Sequence, residues 1–247
     1  VGKTAAALFS FDDLKQRGKA TRLLVVAPKS TLNPTWRREV LLRVPHLTVQ
    51  VLRGTKQQRL DILAIPSDIY IINHDGARVV IDELMKRLDI DMVVIDELTA
   101  FKNARSERSK AMQKICANRR RVLGMTGTPV SNDIMDAYGQ MKVVLGPNFR
   151  MTFTALRDAL CLRQGPYKWV PRPTAPDTLA RLYQPNIRFT RDETYDLPPC
   201  STVQRECDLT PVQTKLLKAL RDEGAAMVAE GTIRGANEAA VLSKMMQ

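Results

Sequence analysis

The sequence is poor in the residues that hold metals and cross-links. It has two histidines, His46 and His74, and four cysteines, Cys116, Cys161, Cys200 and Cys207, none of them in a C-x-x-C pair. A structural zinc site therefore has no ligand set to draw on, and the cysteines read as reduced thiols of an intracellular protein. Whether that compartment is cytoplasm, nucleoid or nucleus is left open. No apolar run reaches membrane-spanning length and no signal peptide is visible, so a membrane is not an expected partner. No internal repeat is present. Acid is also in short supply, with 26 Asp and Glu against 38 Lys and Arg.

The resulting formal charge of +12 is unevenly placed. Residues 1–150 hold 25 basic against 15 acidic side chains, and residues 151–247 hold 13 against 11. A basic excess confined to one part of a chain is the footprint of a polyanion partner, although basic surfaces also serve solubility. The 247 residues, 44% of them hydrophobic, suffice for one large core, or one core with an appendage.

The most informative stretch is Asp91-Met92-Val93-Val94-Ile95-Asp96-Glu97-Leu98-Thr99. Its β-branched and apolar run suits a central strand of a parallel sheet, and ligands of such sheets gather at the carboxyl ends of the strands. Asp96 and Glu97 would stand at that tip. In a nucleotide-hydrolysing site Asp96 would hold Mg²⁺ and Glu97 would orient and deprotonate the attacking water. An ordinary strand ending in a solvated acidic turn reads the same way in isolation.

The start of the chain changes the balance. Gly2-Lys3-Thr4 is the end of the phosphate-binding pattern G-x-x-x-x-G-K-[ST], whose first glycine is missing here, so the chain reads as a fragment. Gly2 would let backbone approach a phosphate, Lys3 would reach the β- and γ-phosphates, and the Thr4 hydroxyl would ligate Mg²⁺. The alanines after it favour a helix whose N-terminal amides face the anion. Chance seldom places such a triplet about ninety residues ahead of an apolar run ending in Asp-Glu.

Between these motifs, strand and helix patterns alternate. Strands are expected at 23–27, 49–52, 69–72, 91–96 and 121–125. Helices are expected after Thr4, through Trp36 to Leu42, over 57–63, from Asp75 to Leu88, from Ser106 to Cys116 and from Asp133 to Leu145. The pattern implies an α/β fold, a mostly parallel sheet flanked by helices. Right-handed crossovers would bring Lys3, Ser30, Asp96 and Thr126 to one edge.

Three loops on that edge carry chemistry. Thr126-Gly127-Thr128-Pro129 offers the hydroxyls of Thr126 and Thr128 to a γ-phosphate, though all its residues are also turn formers. Lys29, Ser30 and Thr31 supply an ammonium and two hydroxyls, a set that binds a sugar-phosphate backbone without reading bases. From Lys102 to Arg121 there are eight basic side chains against one acid, Glu107, which reads as a phosphate-tracking strip including Lys102, Asn103, Arg105 and Arg108.

Taken together, Gly2-Lys3-Thr4, Pro28-Lys29-Ser30-Thr31 followed by Trp36, Asp96-Glu97 followed by Lys102-Asn103, and Thr126-Gly127-Thr128-Pro129 followed by Asn132 resemble helicase superfamily two, in order and spacing. Within it the chain looks like the Swi/Snf-type ATPases and their bacterial and phage relatives. Arg188-Phe189-Thr190-Arg191, Leu197-Pro198-Pro199, a strand over 202–207 and Leu209-Thr210-Pro211 add the exit of that family's first lobe. The resemblance spans nearly the whole chain. It implies the first RecA-like lobe of an ATP-dependent translocase on double-stranded DNA, using ATP and Mg²⁺ and completed by a second lobe with its arginines. Thr99 stands where the family commonly has His, and Thr-Gly-Thr-Pro differs from the Ser-Ala-Thr of RNA helicases. A restriction- or repair-type helicase motor and a non-hydrolysing DNA-binding scaffold are the alternatives.

Three parts follow from this: an ATP-binding lobe over 1–147, a protrusion with a proline-rich loop over 148–200, and a last strand and helix over 201–247. The loop has four prolines between Gly165 and Pro176 and is expected to be extended. Trp169 and Tyr167 in it are expected to pack against the protrusion rather than stack on bases. The final helix should start at Pro211, capped by Thr210, and run to about Glu230.

Overall fold

A computed structural model of the chain describes residues 2–130, 133–166, 168–189, 193, 203, 208–223, 225–228 and 231–234, from 219 onward by backbone alone. Tyr167, Asn132, Thr190-Arg191, Leu197-Pro198-Pro199 and all but Val203 of the expected strand over 202–207 lie outside the described residues. Residues 1–194 and 195–247 are separate compact units.

The first unit is built on five parallel strands: β1 (Arg22–Ala27), β2 (Val49–Leu52), β3 (Ile69–Asn73), β4 (Ile90–Asp96) and β5 (Arg121–Met125). Their order across the sheet is β2-β3-β1-β4-β5. All five agree with the expected strands to within one or two residues. The reason for their unbroken apolar character is visible in the side-chain alternation. Leu24, Val26, Tyr70, Ile72, Val93 and Ile95 enter a core on one face, while Leu23, Val25, Ala27, Ile71, Met92 and Val94 enter a core on the other. A strand covered on both sides needs an apolar residue at every position, so the period-2 pattern is hidden.

The helix α1 (Lys3–Gln16) covers the second face with Ala7, Leu8 and Phe11, beside Trp36 and Val40. On the first face lie α3 (Lys56–Ala64), α4 (His74–Val79), α5 (Ile81–Lys86), α6 (Glu107–Cys116) and α7 (Asp136–Leu145). The helix expected from Asp75 to Leu88 is broken in two at Val80, whose φ of −115° and ψ of 25° leave the helical region. The segment after β1 is a 3₁₀ turn (Lys29–Thr31), a π-helical stretch (Leu32–Arg37) and a short α2 (Arg38–Arg43). Local caps fix the registers. Thr55 and Gln58 form a reciprocal capping box on α3 and Ser106 caps α6, each contributing on the order of 1 kcal/mol.

A third, smaller core forms on α7. Here α8 (Phe153–Leu160), the antiparallel pair β6 (Cys161–Arg163) and β7 (Trp169–Pro171), and α9 (Ala175–Leu182) bury Leu156, Leu160, Ala175 and Leu179 against Ala137 and Met141. The proline-rich segment is thus not extended throughout. Its middle pairs as β7, and its last proline opens α9, where a missing N–H costs nothing. Trp169 packs on this third core, with the Arg157 guanidinium 3.8 Å from its ring centroid, as expected for it.

In the second unit a helix spans Pro211–Glu223, with Thr210 accepting from the Gln213 amide and Gln213 Oε1 accepting from the Thr210 amide. It is shorter than expected, because Ala225–Val228 and Gly231–Arg234 pair as an antiparallel hairpin instead of continuing it.

Candidate nucleotide site

Register alone brings the site residues together. Val26 pairs with Ile95 and Asp96 with Met125, so the loops after β1, β4 and β5 leave the sheet side by side. Along β4, Met92 and Val94 face α1, and strand alternation gives Asp96 the same side. At Glu97 the alternation stops. Its φ of 54° is the one positive value at a non-glycine among the described residues, a conformation that costs about 1 kcal/mol or more and that recurs at functional sites. It leaves the Glu97 side chain 49% exposed at the tip of the strand.

From the other side, α1 begins at Gly2, whose left-handed φ of 72° favours glycine. The carbonyl of Gly2 accepts from the Ala6 amide, so the first amides of α1 point out of the helix end without partners in it. Lys3 follows at once, its Nζ 4.0 Å from Glu97 Oε1 and 3.9 Å from where a Cβ on Gly127 would lie. Gly2, Lys3, Glu97 and the turn after β5 therefore share one locality. An ion pair this long and this exposed stabilises the fold little, which leaves the ammonium available to an anion. Thr4 stands in the first turn of α1, half-buried. In the turn after β5, Thr126 Oγ1 accepts from the Thr128 amide at 3.2 Å, and the buried Gln140 of α7 donates Nε2–H to the Pro129 carbonyl at 2.5 Å.

Asp96 is the most firmly held of these groups. Its Oδ2 accepts from the Trp36 indole at 3.0 Å, its Oδ1 from the Glu97 amide at 3.1 Å, and its carbonyl is 2.8 Å from His74 Nε2. Burial pushes the His74 imidazole below its ordinary value, so the neutral ring donates Nε2–H to that carbonyl. The Phe101 ring packs edge-on against it, 5.2 Å between centroids.

The donor set suits a hard cation. Thr4 offers a hydroxyl and Asp96 a carboxylate with lone pairs beyond those its two donors use. Among the described residues no three His, Cys, Asp or Glu cluster into a cage. Mg²⁺ keeps waters and is held through one or two protein oxygens plus phosphates, and Thr4 and Asp96 are the oxygens that would hold it.

The expected DNA-binding residues divide. Lys29 and Ser30 are exposed, whereas Thr31 spends its hydroxyl on the Pro28 carbonyl at 3.0 Å. Lys102 pairs with Asp136 at 3.5 Å, Arg108 with Asp75 at 2.8 Å, and Asn103 Oδ1 accepts from the Arg105 amide, leaving the Arg105 guanidinium exposed. The strip from Lys102 to Arg121 is not one surface. α6 carries the chain from one sheet edge to the other, so Arg119 and Arg121 end up on the opposite side. There they donate to main-chain carbonyls, Arg119 to Leu84, Arg87, Ile90 and Ile115 and Arg121 to Lys19.

Sequence reasoning assigned no role in this site to Trp36, His74 or Gln140. Trp36 entered only as part of a family-like motif, and nothing local pointed it or His74 at Asp96, from which they lie 60 and 22 residues away.

The model of the SNF2-related domain matches residues 1–247. The chain is 28% identical over 206 residues to the TATA-binding protein-associated factor mot1 of Schizosaccharomyces pombe, covering 78% of this chain and 10% of that protein. It is 35% identical over 129 residues to the ISWI chromatin-remodeling complex ATPase ISW2 of Saccharomyces cerevisiae, covering 49% of this chain and 11% of that one. Against the solved SWI2/SNF2 ATPase core of Sulfolobus solfataricus in complex with dsDNA the TM-score is 0.58 at 22% identity, over 99% of this chain and 51% of that chain. The chain thus spans a tenth or so of these curated relatives and about half of the solved core, with the same RecA-like fold. The match over its full length places the chain in the SNF2-related domain family.

Proposed function

We infer that this chain is the ATP-binding lobe of an ATP-dependent translocase or remodeller acting on double-stranded DNA inside the cell. One observation carries the reading: Lys3 Nζ lies 4.0 Å from Glu97 Oε1 and 3.9 Å from where a Cβ on Gly127 would lie, at the helix end opened by Gly2. In it Gly2, Lys3 and the α1 amides cradle the phosphates, and Thr126 and Thr128 meet the γ-phosphate. Thr4 and Asp96 would hold Mg²⁺, which supplies charge neutralisation at the phosphates. Glu97, exposed and turned out of the strand, orients the attacking water and takes its proton. Lys29, Ser30, Lys102, Asn103 and Arg105, on the loops after β1 and β4, contact the DNA backbone, with Thr31 and Arg108 shaping those loops. A second RecA-like lobe supplies the arginines that stabilise transition-state charge, worth roughly a thousandfold or more in rate.

The relatives and the solved core are named as a TATA-binding protein-associated factor, a chromatin-remodeling complex ATPase and an ATPase core in complex with dsDNA, which supports this partner and chemistry. The test is ATP turnover by the full-length protein carrying this chain, alone and with double-stranded DNA, single-stranded DNA or RNA. Stimulation of about tenfold or more by double-stranded DNA is expected. Equal turnover without DNA, or stimulation by RNA alone, would overturn it.

A further inference from the structure

The segment that leaves β1 is unusual. It begins with exposed Lys29 and Ser30 and then winds as a π-helical stretch from Leu32 to Arg37 before becoming α2. π-helical turns are rare and frequent at functional sites. Within this one Trp36 is fully buried on the α1 face of the sheet. A buried indole seeks a partner for its N–H. This one reaches the carboxylate of Asp96, Nε1 to Oδ2 3.0 Å, and not a main-chain carbonyl.

Because Asp96 Oδ1 is already engaged by the Glu97 amide, the indole fixes the remaining rotational freedom of the carboxylate. It also joins two places that the sequence separates, the exposed 29–30 turn and the metal carboxylate. Resting on the ATPase reading above, we propose that Trp36 is a positioning residue. Its N–H sets the Asp96 carboxylate in the orientation that receives Mg²⁺·nucleotide, and its continuity with residues 29–31 makes a grip on DNA there felt at that carboxylate. A linkage of this kind is reciprocal, so nucleotide must change DNA affinity by the factor by which DNA changes nucleotide affinity.

The experiment uses the full-length protein and binding rather than turnover. Affinity for a non-hydrolysable ATP analogue is measured across a Mg²⁺ series, with and without double-stranded DNA, for wild type, Trp36→Phe, Asp96→Asn and the double variant. Losing a hydrogen bond to a charged group should raise the Mg²⁺ concentration for half-maximal binding about tenfold in Trp36→Phe. The DNA effect on nucleotide affinity should shrink, while nucleotide-free DNA binding stays as in wild type. In the Asp96→Asn background the same substitution should add little, since the indole acts through that carboxylate. Should Trp36→Phe fail to fold, the benzothienyl isostere of tryptophan at position 36 keeps the shape and removes only the N–H.

An unchanged Mg²⁺ dependence, or equal shifts in both backgrounds, would reduce Trp36 to a core residue and leave the ATPase reading standing. Absence of any Mg²⁺-dependent nucleotide binding by wild type would instead sink that reading, and this proposal with it.

Discussion

The two edges of the central sheet are both rich in arginine and lysine, and they use them in opposite ways. At the carboxyl edge Lys29 and Arg105 are exposed, and Lys3 has only a long contact to Glu97. At the amino edge the guanidiniums are consumed by the fold. Arg87 grips Asp89 with two hydrogen bonds of 2.8 Å, reaches the Leu63 carbonyl at 2.6 Å and lies over the Tyr70 ring, while Arg22 bridges Asp89 and the Ser67 carbonyl. The bond to Asp89 raises the Arg87 guanidinium above its ordinary value, and Arg87 in turn holds the Asp89 carboxyl below the usual range. Arg119 ties the ends of α5, α6 and β4 through four carbonyls. The lesson is that cationic residues mark a binding face only where acids and carbonyls have not already claimed them.

The comparison breaks most sharply at Glu97. Glu97→Gln should preserve ATP affinity and lower turnover by about a hundredfold or more, as expected when a general base is lost. Single-turnover and steady-state assays on the full-length protein check this, and near-normal turnover would take Glu97 out of the role. Lys3→Ala should instead weaken nucleotide binding itself.

The amino edge should answer in stability. Arg119→Ala removes one donor from each of the carbonyls of Leu84, Arg87, Ile90 and Ile115 and should destabilise by about 2–4 kcal/mol. A drop of about 5–10 °C in the thermal midpoint follows for a domain of this size, with DNA and nucleotide affinities retained below the transition. A weakened DNA affinity with an unchanged midpoint would reverse the roles given to the two edges.

Neutralising Lys29 and Arg105 together, as Lys29→Gln and Arg105→Gln, should weaken DNA binding evenly across unrelated sequences. The slope of log affinity against log salt should fall by roughly one per contact removed. An unchanged slope would identify both as merely solvated. Arg121→Gln, at the opposite edge, serves as the control and should leave the slope alone.

The smallest effect belongs to His74. Burial holds its folded value below the ordinary 6.5, so the unfolded chain takes up the proton more readily. Its contribution to stability is therefore complete above about pH 6.5 and is lost as pH falls below it. The Asp89 contribution runs at lower pH, present above its ordinary 3.8 and lost as pH falls further. Thermal midpoints measured between pH 7 and 5 should decline, and His74→Gln should flatten that decline. A flat wild-type profile would mean that the ring accepts a proton in place without cost.

Much of this molecule was legible in the chain itself. The five strands were readable because parallel strands buried on both faces leave long β-branched runs, and chain order with right-handed crossovers then dictates which loops share an edge. That Gly2-Lys3-Thr4 opens a helix and Asp96-Glu97 stands at a strand tip was readable because both signals are local: a helix end that favours glycine, and an apolar run that stops at two carboxylates. The division of the basic residues was not. The helix over 106–116 had to carry the chain from one edge at Lys102 to the other at Arg121, but no local pattern shows which guanidiniums main-chain carbonyls would claim there. Nor could the chain show the break at Val80, the pairing of the proline-rich segment as β7, or the hairpin that ends the last helix, since each depends on packing or pairing that overrides local propensity. The hold on Asp96 by Trp36 and His74 belongs to tertiary structure alone. Two side chains from other loops meet it only after β3, β1 and β4 lie side by side, and hydrogen bonds between residues distant in sequence leave no trace in the sequence around either partner.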